Sequence, residues 1–163
     1  MVSSVLHSIA ATALAAASLA GGGASAATHA ECRVRGPLPD PACTPGATLP
    51  EATARDVCTP GWAGRHRAVT AATKRRVYEA YGIAHHSPGE YEVDHLVSLE
   101  LGGSNAIANL FPEAAEPRPG FHEKDRLEGR LHDLVCAGAL SLASAQRLIS
   151  ADWLRPYRRY VAG

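Results

Sequence analysis

An aspartate followed at once by a histidine, Asp94-His95, ends a short alternating run that begins at Glu90. Hydrolysis of a phosphodiester needs an activated water, stabilisation of charge on the phosphate and help for the leaving oxygen. One divalent cation supplies the last two as a Lewis acid. A neutral imidazole, titrating near pH 6.5, takes the water's proton at physiological pH. Consecutive strand residues point to opposite faces, so Asp94 and His95 do not easily hold one ion together. One can hold a metal while the other addresses the water. Alone, an adjacent Asp-His is most often a surface pair, and its surroundings must decide.

Those surroundings are ordered. The alternation from Glu90 to His95 predicts a strand with Tyr91, Val93 and His95 on one face. Gly102-Gly103-Ser104-Asn105 marks a loop, and Asn109-Leu110-Phe111 reads as a second short strand stopped by Pro112. After a further loop at Pro117 to Gly120, Lys124 to Cys136 is strongly helical, with Leu127, Leu131, Leu134 and Val135 as its apolar stripe. Upstream, Thr70 can cap a helix carrying Thr73, Val77, Ala80 and Tyr81 on one face, with Gly82 as its stop. Downstream, Ser141 caps a last helix with Leu142, Ala145, Leu148 and Ile149 inward. The order is helix, strand, loop, strand, helix, helix, without internal repeats.

Asp94-His95 joined to Leu101-Gly102-Gly103-Ser104-Asn105 and to Asn109-Leu110 resembles the HNH nuclease motif, over about residues 90–130. The resemblance implies a ββα-metal (HNH) core, which with the flanking helices and an irregular disulfide-pinned N-terminal segment read from the residues makes an α+β fold. It implies Asp94 as metal ligand and His95 as general base. Asn109 matches the family's middle Asn, a site residue that usually braces the loop after the catalytic His. The last element falls at Phe121-His122-Glu123-Lys124-Asp125 and offers His122 as the second ligand. In some related sites an Asn is itself the ligand, so His122 or Asn109 remains open, with His122 favoured. Glu113 to Gly120 is insertion-like against the motif. Arg65, Lys124 and Arg126 are phosphate-contact candidates. The implied cofactor is one divalent ion, Mg²⁺ first, with Mn²⁺, Zn²⁺ and Ni²⁺ also suited to a carboxylate-plus-imidazole site. The expected partner is the backbone of DNA, RNA or both, cut with weak sequence preference because no reader domain is attached. A second reading is a non-catalytic secreted module that keeps the ββα scaffold for nucleic-acid or partner binding. A third, a carbohydrate- or cell-wall-binding domain, calls for rows of aromatic residues, whereas only 6% of the chain is aromatic.

The remaining features bound the chain. At 163 residues it suits one domain. Val5 to Ala20 is an Ala/Leu-rich apolar stretch, and Ala24-Ser25-Ala26 follows it as a small-x-small cleavage pattern. Residues 1–27 therefore read as a secretory signal peptide, although its start carries His7 and no Lys or Arg. Residues 28–60, rich in Pro, Ala, Thr and Gly, read as irregular, and 61–163 as the nuclease-like domain. Cys32, Cys43, Cys58 and Cys136 make an even count that suits two disulfides in an exported chain. Three pairings are open. The Pro-rich stretch between the first two favours Cys32–Cys43, leaving Cys58–Cys136 as a long loop worth roughly 4 kcal/mol. The 16 basic and 16 acidic residues cancel, unlike the basic balance common in nucleic-acid enzymes. Basic residues nevertheless cluster at Arg65 to Arg76 and at Arg155 to Arg159. A secreted monomer without stable membrane association is the expected state.

Overall fold

A two-stranded antiparallel sheet is the frame on which Asp94 and His95 are mounted. The computed structural model describes residues 32–163, and the expected signal peptide at 1–27 lies outside the described residues. Strand β1 (Tyr91–His95) pairs with β2 (Leu110–Ala114), placing Tyr91 opposite Ala114 and His95 opposite Leu110. β2 does not stop at Pro112, which sits opposite Val93 inside the pairing. Both strands of a two-stranded sheet are edges, so a proline is tolerated where its missing N–H would face outward.

Among the described residues six α-helices flank the sheet, and the fold is α+β: α1 (Ala54–Val57), α2 (Trp62–His66), α3 (Ala71–Ala80), α4 (Phe121–Cys136), α5 (Leu142–Asp152) and α6 (Leu154–Tyr160). Thr70 caps α3 by accepting from Thr73 N, as its position suggested. Helix α4 starts three residues before the expected Lys124. Gly120 N donates to the Glu123 carboxylate at 2.9 Å, so a side chain inside the first turn closes the entry. Ser141 caps α5, but the chain turns at Trp153 and continues as α6, which the periodicity had not separated. The Trp153 ring is fully buried, and its Nε1 donates to Pro37 O at 3.2 Å.

Leu127, Leu131 and Val135 of α4 meet Phe111 of β2, Ile149 of α5 and Trp153 in one core. Each such side chain contributes about 1.5–3 kcal/mol by leaving water. This core fixes α4 behind the sheet, so its first two turns pass Asp94. The cysteines pair as Cys32–Cys43 and Cys58–Cys136, and the second bridge ties the end of α1 to the end of α4.

The stretch before α1 is irregular but not detached. Gly46 N donates to Ala108 O, Leu49 N to Gly102 O, and Ser104 N to Ala47 O, while Thr48 bridges Gly103. Gly103 allows the approach: a Cβ there would stand 1.7 Å from Val97 O. Only glycine lets the loop fold this tightly on itself.

Candidate functional site

His95 closes β1, and its side chain is held by the loop that follows. Its Nε2 lies 3.1 Å from Asn105 Oδ1. The Asn105 amide is oriented by the backbone: its Nδ2 donates to His66 O at 2.7 Å, and its Oδ1 accepts from Ala68 N at 3.2 Å. Oδ1 can only accept, so His95 donates from Nε2–H and keeps its lone pair on Nδ1. The residue is 3% exposed. Burial lowers the pKa of the imidazole below its ordinary 6.5, against the opposing pull of Asn105 and Asp94. At neutral pH His95 is therefore an uncharged ring of fixed tautomer.

Asn109 fixes the path of that loop. Its Oδ1 accepts from Val97 N at 2.9 Å and from Ala47 N at 3.2 Å. Its Nδ2 donates to Val97 O and to Ser104 O, each at 2.9 Å. The side chain is fully buried. All four capacities of the amide are used, and it braces both the turn after His95 and the segment at Ala47.

Asp94 points the other way, toward α4. Lys124 Nζ donates to Asp94 Oδ2 at 2.5 Å, to His95 O at 2.7 Å, and to Glu128 Oε1. Lys124 is fully buried, while the Asp94 and Glu128 side chains are each 13% exposed. Glu113, from β2, is also buried, with Oε2 at 3.9 Å from Nζ and its carboxyl beside that of Asp94. Burial works against the charge on Lys124, but Asp94, Glu128 and Glu113 outweigh it and raise its pKa well above normal. Burial likewise opposes ionisation of Asp94, and the Lys124 ammonium overcomes it, leaving Asp94 below its ordinary value. The other carboxylates take the excess: burial pushes Glu128 up to about 7 and Glu113 well above its ordinary range. Burial, with Asp94 and Asp125, pushes Glu92 up to about 7.

The expected metal set does not fit this arrangement. The Asp94 carboxylate is occupied by an ammonium. His122 is exposed at the first turn of α4, with its ring against Phe121 at 4.2 Å. Among the described residues, one group of three brings suitable ligand atoms within 4.8 Å of one another: Cys58, His132 and Cys136. That group could hold a metal ion as a dithiol. In the disulfide its two sulfurs are bonded to each other, and the imidazole remains the sole donor.

The phosphate-contact candidates also separate. Lys124 is enclosed, its three donors satisfied, and cannot meet a substrate. Arg126 is exposed on another face of α4, roughly 200° around the helix, where it lines a groove with Arg130, Asp133 and Tyr160. Arg65 is exposed and donates to Pro60 O at 2.9 Å. Arg67, also exposed, is close enough to His95 for its charge to disfavour the imidazolium.

Four roles were not assigned from the sequence: Asn105 as orienter of His95, Lys124 as the cation, and Glu113 and Glu128 as its companions. A signal existed for Glu128, since Lys124 and Glu128 stand at the i,i+4 spacing that shares a helix face. No protein-family model, curated protein or solved structure matches the chain.

Proposed function

We propose that this chain is a secreted HNH-type nuclease that hydrolyses phosphodiester bonds of DNA, RNA or both with weak sequence preference. The observation that carries the reading is His95, neutral, of fixed tautomer, and held in a loop braced by Asn109. Nδ1 takes a proton from water, the resulting hydroxide attacks phosphorus, the bond from phosphorus to the leaving oxygen breaks with that oxygen protonated by solvent, and Asn105 Oδ1 steadies the imidazolium that forms. Arg67 stands where its charge can meet the scissile phosphate, with Arg65 in the neighbouring helix. No step is assigned to a divalent ion, because Lys124 already engages the Asp94 carboxylate. Two disulfides suit export to an oxidising compartment, and no helix among the described residues is long and apolar enough to cross a membrane.

A specific observation favours a second reading, a non-catalytic module on the same scaffold: all three donors of Lys124 are taken by Asp94, His95 O and Glu128. Nicking of supercoiled plasmid and cleavage of single-stranded RNA separate the two. Wild type and His95→Ala are compared with Mg²⁺, Mn²⁺, Zn²⁺ and with a chelator. The nuclease reading expects cleavage in at least one condition and a loss of about 10²-fold or more in His95→Ala. Absence of His95-dependent cleavage in every condition sinks it.

A further inference from the structure

The HNH resemblance puts a metal between the residue preceding the catalytic His and the helix that follows the second strand. In this chain that space lies between Asp94 and the first turns of α4, and it holds the end of a side chain. We propose that the Lys124 ammonium is the resident cation of the site, replacing a divalent ion, so that the site's positive charge belongs covalently to the chain.

Three observations carry this. The donors balance: a lysine ammonium has three N–H groups, and Asp94, His95 O and Glu128 take one each. The cation is also placed by secondary structure. Lys124 and Glu128 lie one turn apart on α4, and Asp94 comes from the end of β1. Finally, the surroundings are those of a cation site rather than of a simple ion pair. Three carboxyl groups converge on one ammonium: Asp94 and Glu128 accept from it, and the wholly buried Glu113 stands 3.9 Å away beside Asp94.

Burial favours the protonated form of Glu113, which hydrogen-bonds to Asp94 rather than adding a third full negative charge. An ion entering the wild-type site would have to displace a buried ammonium from three acceptors. Removal of the ammonium leaves three oxygen-bearing side chains around an empty centre, which is a donor set for Mg²⁺ or Mn²⁺.

This deepens the nuclease reading at the same site, but the test reads the cation and not turnover, so the two can fail separately. Free Mn²⁺ is followed by electron paramagnetic resonance as the full chain is added. The chains are wild type, Asp94→Asn, Lys124→Ala, and Lys124→Ala combined with Asp94→Asn. The proposal expects wild type and Asp94→Asn to leave Mn²⁺ equally free at millimolar concentration. It expects Lys124→Ala to bind one equivalent at least 10-fold more tightly than wild type, and the double variant to lose that binding. One equivalent bound by wild type and lost in Asp94→Asn overturns the proposal, as does a folded Lys124→Ala that binds none. If Lys124→Ala does not fold, the comparison of wild type with Asp94→Asn decides on its own.

Discussion

On one side of the end of β1, Asp94 meets an ammonium and two further carboxylates. On the other, His95 and the loop behind it hydrogen-bond to neutral amides and backbone groups. Only one peptide bond separates the two environments, because alternation along a strand sends successive side chains to opposite faces. On the charged side each group's state depends on the others: Lys124 holds Asp94 ionised, and burial leaves Glu113 and Glu128 reluctant to ionise. On the amide side each partner is satisfied separately, and Asn109 alone closes four contacts. Negative charge gathers around the ammonium, and the titrating ring is kept neutral where chemistry is proposed.

The largest effect should come from breaking the charged side. Lys124→Met leaves Asp94 and Glu128 buried without a counter-charge, and should cost about 3–5 kcal/mol in urea denaturation at pH 7. A cost below about 1 kcal/mol would mean that the ammonium does not organise this face. The amide side should yield less. Asn109→Ala strands Val97 and Ala47 groups in a buried turn, and should cost about 2–3 kcal/mol by the same measurement. Equal losses in the two variants would erase the contrast between the faces.

The smallest effect concerns pH and sharpens the comparison. Glu92, on the Asp94 face, is raised from 4.5 to about 7 in the folded chain. The folded protein thus keeps a proton that the unfolded chain gives up above pH 4.5, and stability from this group is lost as pH rises toward 7. His95 has the opposite sign: its folded pKa is depressed, so stability is gained as pH rises toward 6.5. Glu92→Gln removes the first contribution alone. The fall in Tm between pH 5 and pH 7 should be smaller than in wild type, and an unchanged fall would show that Glu92 does not carry it.

Much of the frame was legible because it rests on local rules. Thr70 and Ser141 cap their helices, and Gly102-Gly103-Ser104-Asn105 forms the loop. Alternation separated Asp94 from His95. The role of Lys124 was not legible, since a lysine on an amphipathic helix reads as solvated until tertiary packing encloses it. Pro112 misled for a related reason: a proline ends a central strand, and the sequence does not say that the sheet has only two. Helices α1 and α2 were missed because four or five residues are too few to show a period. His122 lies two residues before Lys124 and is exposed at the helix surface. Residues 124 and 128, not 122, face Asp94.

The segment at Gly46 to Leu49 changes how the molecule can be cut. It runs along the 102–109 loop, and Ala47 shares the Asn109 carbonyl with Val97. Trimming the chain at residue 60, the border that composition suggests, would remove one wall of the loop that carries Asn105. The smallest portable unit for grafting, fragment complementation or expression therefore begins well upstream of α1. Severed peptides from the two sides of that border should reassemble along the loop rather than behave as independent modules.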